Sequence, residues 1–532
     1  RVHVLKKEAV EAIPALSADD YLMAIPGMTV RRGASFLGSG NVSLRGAGNE
    51  AGRTLVLVDG VPVNKSDGGS VNWNAINPGD IQQVEVMKGP GSSIYGGNAM
   101  GGVINLISPL PHSKLQGRIS QTAGSFDTYN TQARLSGRTE QVHWAVNGRY
   151  RQSDGYITTP ADEIDEYSVA SFLDEYQFGG RLGTTIQQNH LLEASASWYS
   201  GKRGTGSNFS GYGFQNEDLA APRGAYNHYS GINGRLTYRG MTRGGIRLNA
   251  NLYGQRENYQ NIRESLRSGR ITRYDVESVR SDAGLLSSAS RTAGNHLLTA
   301  GIDVRNGGVD GRDVYLTSTD LVINQGQLLQ LGIYLQDEIR LGQTPWSLLA
   351  GLRYDHANFY NGSFVVKNPT SETAFLQDYA ETLPDATFSA ISPRISLQYH
   401  RKGKYRLFGG YSKGFRAPVL DDMSRTGRIS GGMKLANPYL KPEYLDQFEI
   451  GGDLFLGQRL TLSPGFFYAT GTDYHAYIST GDSLMMNNRM RPIRIMDNIG
   501  KVGIKGFEAA LSWKALDGLH LNLSYNHQDS EI

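Results

Sequence analysis

Leu44-Arg45-Gly46, Val56-Leu57-Val58-Asp59-Gly60-Val61-Pro62-Val63-Asn64, Ile81-Gln82-Gln83-Val84-Glu85-Val86-Met87-Lys88-Gly89-Pro90 and Tyr95-Gly96-Gly97-Asn98-Ala99-Met100-Gly101-Gly102-Val103-Ile104-Asn105 follow one another closely. Each apolar run reads as a short strand, and each is followed by Gly, Asp-Gly or Gly-Pro, which turn the chain sharply. The sequence therefore predicts a compact, turn-rich unit over residues 1–109, built to sit inside something larger.

Beyond it, residues 114–532 repeat alternating segments of about ten residues, joined in turn by tight turns and long polar loops. In Glu193-Ala194-Ser195-Ala196-Ser197-Trp198 the apolar and polar side chains fall on opposite faces, as they do in Phe507-Glu508-Ala509-Ala510-Leu511-Ser512-Trp513 and Leu521-Asn522-Leu523-Ser524-Tyr525-Asn526. A strand turns successive side chains to opposite faces, so this is a sheet with one apolar and one wet surface. A soluble sandwich shows the same alternation, and two further signs favour lipid. Trp144, Tyr150, Trp198, Tyr199, Tyr253, Trp346 and Tyr354 stand near segment ends, where an aromatic girdle lies. Short connections at 124–126 and 342–344 alternate with long ones at 202–225, 307–327, 359–388 and 415–445, the short set being expected on the inner side of the membrane. The fold class expected is all-β: an antiparallel transmembrane β-barrel over residues 110–532, with about 17 strands present.

Composition agrees. The 532-residue chain has a formal charge of +3, no Cys, 66 Gly and 29 Tyr, and no run of about 18 apolar residues for a spanning helix. It offers no disulfide framework and no thiolate metal site. No basic block with interleaved aromatics points to nucleic acid.

The four opening pieces, in their order and spacing, resemble the plug domain of TonB-dependent outer-membrane transporters. A second set, Tyr411-Ser412-Lys413-Gly414-Phe415-Arg416-Ala417-Pro418 followed by Asn437-Pro438-Tyr439-Leu440-Lys441-Pro442-Glu443, resembles that family's barrel signature, in which a strand rises into an external loop and returns. Proline ends the strand because it cannot donate to the ladder. The resemblance covers essentially the whole chain and implies a barrel of 22 strands. About five would then be missing, so the chain is read as continuing past residue 532, with two unpaired edges as it stands.

The resemblance also assigns residues. It places Arg45 and Lys88 of the plug against Glu449 and Glu508 of the barrel, a quartet that would hold the plug in place. The family usually has Arg where Lys88 stands, and lysine lacks the planar two-point bond to carboxylate. Lumen-facing charges solvated by trapped water are the plain alternative. Apical plug loops imply ligand contacts from Arg32, Phe36, Asn64, Lys65, Asp67, Asn72, Trp73 and Asn74, a cationic, amide and aromatic mixture suited to an oxygen-rich anionic ligand with flat rings. Phe209, Tyr212, Phe214, Tyr226, His228 and Tyr229 are further loop candidates.

Other patterns carry less. Gly410-Tyr411-Ser412-Lys413-Gly414 matches a nucleophile elbow but lies in a barrel strand with no helix after it. Gly89-Pro90-Gly91 lacks the remainder of a phosphate loop. Asp162, Glu163, Asp165 and Glu166 read as a solvated loop. Haem-binding relatives carry a histidine in the loop corresponding to 419–436, which here has none, leaving Met423 and Met433 as the axial candidates.

No catalytic residue, resident metal or cofactor is expected. The expected function is energy-coupled import of a scarce nutrient across a Gram-negative outer membrane, with loops outside. A ferric siderophore is the leading cargo, and cobalamin, haem or an oligosaccharide are the alternatives. A passive porin or adhesin would begin directly with barrel strands. Expected partners are outer-membrane lipid, a small-molecule ligand and a TonB-type coupling protein, whose contact box is placed upstream of Arg1 because Val2-His3-Val4-Leu5 matches it poorly.

Overall fold

A computed structural model describes residues 2–33, 37–45, 47–48, 50–187, 189–208, 223–267, 270–429, 431–486 and 489–531. Phe36, Phe209, Tyr212 and Phe214 lie outside these.

The N-terminal unit holds strands β1 (Val2–Leu5), β2 (Met28–Arg32), β3 (Gly40–Leu44), β4 (Thr54–Val58), β5 (Val61–Pro62), β6 (Gln83–Lys88) and β7 (Gly102–Ile107). β2 and β3 pair as a hairpin; the others form one sheet in the order β1-β6-β7-β4-β5. Asp59 and Gly60 both take positive φ, 51° and 85°, the geometry that a two-residue hairpin turn demands and that Asp-Gly supplies at low cost. That turn folds β5 back on β4 and leaves the Asp59 side chain at the unit's edge. Leu22, Leu44, Val84, Val86, Ile104, Leu106 and Trp73 are buried together, so this unit has a core of its own.

Among the described residues, seventeen antiparallel strands of 9 to 24 residues, from Gln116–Gly124 to Leu519–Glu531, form the barrel around the plug. Alternation sets their two faces. Along His190–Gly204, Glu193 and Tyr199 are buried inward, while Ala194, Ala196 and Trp198 are exposed outward. Leu182, Ile232, Leu252, Ile302, Leu335, Leu352, Ile391, Ile450 and Leu523 extend that exposed apolar wall round the barrel. So large a patch needs an apolar solvent.

Several expectations need correction. Tyr199 and Tyr253 are buried on the lumen side, because the side-chain period of two puts them opposite Trp198 and Leu252. The 124–126 turn lies at the end of the barrel with the long connections: Phe126 meets Tyr156 at 5.2 Å, and its carbonyl accepts from Asp154. Phe126 and Asp127 have positive φ, so two strands close there tightly whichever side they face. Much of 307–327 is ladder, since His296–Tyr315 and Leu321–Arg340 pair to their ends. Strands this long project well past a span of about ten residues. The stretch 415–445 contains the helix Leu420–Ser424 and two short strands, of which Gly432–Leu435 pairs with the hairpin Tyr474–Met486 and Arg489–Ile499.

The sheet also curls until Leu519–Glu531 comes back beside Gln116–Gly124, where the sequence suggested two separated edges. Closure depends on tilt and stagger as well as on strand number. Both seam strands are exposed along almost their whole length, whereas neighbours elsewhere are joined by long ladders.

Candidate ligand cavity and plug contacts

A cavity of about 410 Å³ lies between the plug and the barrel wall. Ser39, Asn41, Lys65, Asn72, Trp73 and Asn74 line its plug side; Tyr199, Arg203, Tyr229, Glu257, Tyr259 and Arg280 line its wall. These wall residues come from strands whose inward positions alternate with lipid-facing ones, and that alternation is what aims them at the plug. Arg280 lies 4.5 Å from the centre of the Tyr259 ring, and Tyr229 packs on Tyr259 at 4.9 Å. Glu257 accepts from the Tyr199 hydroxyl and from Arg280 at 3.2 Å. Arg203 donates to Glu175 at 3.0 Å and to the Leu37 carbonyl at 2.6 Å. Beside it, Arg149 and Arg151 converge on the same carboxylate, so three buried guanidinium groups share one Glu175. The result is a cavity of aromatic faces and fixed hydrogen-bond donors.

Of the plug residues singled out from sequence, Lys65, Asn72, Asn64, Trp73 and Asn74 do border this cavity, but several have internal work. Asn64 accepts from the Val56 N–H at 2.7 Å and donates to the Thr54 and Gly69 carbonyls at 3.0 and 2.9 Å, which ties down its own loop. Trp73 is 2 % exposed and packs in the plug core. Asn74 accepts from Arg151 at 2.8 Å, and Lys65 donates to Gln255 at 3.2 Å. Arg32 and Asp67 are not among the cavity-lining residues. Arg32 pairs with Asp19 and Asp20 at 2.8 and 2.6 Å, and Asp67 meets Arg280 at 2.7 Å. Burial pushes the Asp67 carboxyl above its ordinary range, against that pull. Met423 and Met433 are 1 % and 0 % exposed, each inside an apolar cluster, and neither borders this cavity.

Arg45, Lys88, Glu449 and Glu508 meet. Arg45, held at φ 47°, places two guanidinium nitrogens on Glu508 at 3.0 and 3.2 Å and a third on Glu449, with its plane 4.6 Å from the Phe467 ring centre. Lys88 donates to Glu508 at 3.0 Å. Glu508 is thus the centre of the group, bound by both cations, and Glu449 is the more open carboxylate at 13 % exposure against 6 %.

Sequence reasoning missed further plug contacts. Arg53 grips the fully buried Glu443 at 3.0 and 2.6 Å and stacks on Tyr474 at 4.4 Å, while Arg416 donates to the Ala51 carbonyl at 2.9 Å. Both barrel partners stood in the quoted signature, Arg416 before Ala-Pro and Glu443 after Lys-Pro. Asp59 accepts from Arg181 and Arg235 at 3.1 and 3.0 Å.

Residues 1–103 match the model of the TonB-dependent Receptor Plug Domain, and residues 114–532 that of the TonB dependent receptor-like β-barrel. The chain belongs to the TonB-dependent receptor family. This is a family of outer-membrane receptors and transporters, not of enzymes. The receptor is 25% identical to a hemin receptor of Yersinia enterocolitica, over 99% of this chain and 74% of that protein. It is 23% identical to an iron-regulated outer membrane virulence protein of Vibrio cholerae, over 100% of this chain and 75% of the relative. Among solved structures it resembles the ferric yersiniabactin uptake receptor FyuA of Yersinia pestis, with TM-score 0.76, 17% identity, and coverage of 100% of this chain and 79% of that one. At that identity the likeness speaks for the fold.

Proposed function

We propose that this receptor binds an anionic iron complex, a ferric siderophore, in the plug–wall cavity and imports it across a Gram-negative outer membrane with energy from a TonB-type partner. The iron complex is cargo, not a resident cofactor. The long connections face outside, and Arg45, Lys88, Glu449 and Glu508 hold the plug until the partner pulls it.

The observation that carries this reading is the charge beside the cavity. Arg149, Arg151 and Arg203 converge on a single Glu175, and Arg149 Nε and Nη1 have no hydrogen-bond partner among the described residues. Three buried cations against one carboxylate leave an excess of positive charge, although Arg149 also donates to the Asn74 carbonyl, and an anionic cargo would offset that excess. Tyr199, Tyr229 and Tyr259 add flat faces for aromatic or chelating groups.

Haem is the second reading, favoured by the similarity to a hemin receptor over nearly the whole chain. Growth of a strain lacking this receptor, supplied in turn with ferric siderophores of defined chelating class, haem and cobalamin as sole sources, separates the cargoes. Loss of growth on a ferric siderophore alone supports the proposal. Loss on haem or cobalamin alone overturns the cargo assignment.

A further inference from the structure

The plug does not touch the barrel evenly. Against strands Val142–Ser153 to Arg247–Arg267 a second cavity, of about 170 Å³, adjoins the first and shares Lys65, Val71, Asn72, Ala75 and Tyr199 with it. Its wall sets small residues, Gly179, Ser195, Ser197, Gly234 and Gly254, among larger ones that include Gln177, Arg181, Arg235 and Tyr253, and its plug side carries Val58, Val61, Val63, Ile76 and Ile81. On the other side the fit is close. A Cβ at Gly96 would come within 2.7 Å of the Arg353 guanidinium, one at Gly97 within 3.3 Å of the Phe415 ring, and one at Gly414 within 2.9 Å of plug Pro90 and Met100. The cavity there, at Leu55, Asp303, Gln330 and Arg353, holds about 50 Å³.

The loose side is closed by ion pairs. Arg181 and Arg235 donate to Asp59 at 3.1 and 3.0 Å, Arg235 also bonds the Val58 carbonyl at 3.1 Å, and Arg134 pairs with Asp80. Glu193 is shared among Arg235 at 3.4 Å, Arg181 at 3.9 Å and His143 at 2.8 Å. All three arginines belong to the wall, while Asp59 and Asp80 belong to the plug.

We infer that the translocation route runs down this side of the lumen, and that Asp59 and Asp80 gate an anion filter made of Arg134, Arg181 and Arg235. When the plug shifts, its two carboxylates leave with it. Three fixed cations then face the widened gap with Glu193 as the wall carboxylate paired to Arg181 and Arg235, and a low-dielectric, confined passage amplifies that imbalance. Space around Gly234 and Gly254, where an added Cβ would meet nothing within 4 Å, gives the cargo room that the close contacts at Gly96, Gly97 and Gly414 deny it on the other side. This inference rests on the transport reading above and adds to it where the cargo passes and which charge passes.

The test uses K⁺ and Cl⁻ rather than cargo, so it stands apart from the cargo assignment. The receptor carrying Asp59→Asn and Asp80→Asn, reconstituted in planar bilayers under a KCl gradient, is expected to conduct several-fold more than the parent, with a reversal potential on the chloride side. These 532 residues contain no Cys, so a cysteine at Ser197 or Gln330 is the sole thiol among them. A bulky methanethiosulfonate should block the current at Ser197→Cys and leave it unchanged at Gln330→Cys. Single-cysteine variants that keep both aspartates, loosened in dilute urea, give the same comparison without altering the gate. Cation selectivity, or block from Gln330→Cys and not from Ser197→Cys, would overturn the route.

Discussion

Glu508→Gln is expected to loosen the plug far more than Glu449→Gln. Glu508 accepts two contacts from Arg45 and one from Lys88 at 3.0 to 3.2 Å, and it is 6 % exposed. Breaking a buried pair by removing one partner costs about 3–5 kcal/mol when the remaining charge stays dry. Arg45 keeps Glu449 and the Phe467 face in the variant, so the low end applies, about 3 kcal/mol, or roughly a hundredfold in the plug-loosening equilibrium. Glu449 is more open, and its loss leaves Arg45 still doubly bound to Glu508. About 1 kcal/mol is expected there, as for a charged hydrogen bond with a surviving alternative. Single-molecule extraction of the plug, together with bilayer conductance, reads both variants. Ligand affinity should stay within a few fold, because neither glutamate borders the 410 Å³ cavity. Equal loosening by the two variants, or loss of ligand affinity with plug retention intact, would refute the argument.

Lys88→Arg should act oppositely, since a guanidinium can reach both Glu508 oxygens, and the extraction force should rise above that of the parent. Trp73→Ala should cost the plug about 3–5 kcal/mol, because Trp73 is 2 % exposed in its core; faster proteolysis of the plug checks this, and unchanged proteolysis with weaker ligand binding would place Trp73 in the ligand site instead. Conductance should begin to rise above pH 3.8, where Asp80 takes up its proton because burial holds that carboxyl above its ordinary 3.8 against the pull of Arg134, and should rise further below 3.8 as Asp59 follows. Although burial works the other way, Arg235, Arg181 and the Ser108 N–H hold the Asp59 carboxyl below its ordinary 3.8, so its contribution is complete above that value and is lost as pH falls through the lower folded one.

What the sequence disclosed follows from range. Turn chemistry is local, so Asp59-Gly60 marks its hairpin unaided, and the period of two separates Ala194 and Trp198 from Glu193. Arg45 and Glu508 meet across 463 residues, and only the resemblance to a family pointed to that pairing. The cavity wall was legible in type but not in place. Glu257 and Arg280 are inward polar positions on strands, as many others are, and only the curvature of the barrel brings them to Asn72 and Asp67. Asn64 and Trp73 border the cavity from an apical loop, and they also satisfy that loop's own backbone and core, a double role that loop position does not disclose. Connection length misled at 124–126 and 307–327, where positive φ and continued ladders, both invisible to polarity, decide the geometry.

The central claim, energy-coupled import through a plugged barrel, is tested most directly by uptake of a ⁵⁵Fe-labelled ferric siderophore into cells carrying this receptor, with and without the TonB-type partner. Surface binding is expected in both, and accumulation inside only with the partner present. Accumulation that continues without the partner would make the barrel a passive pore and contradict the claim.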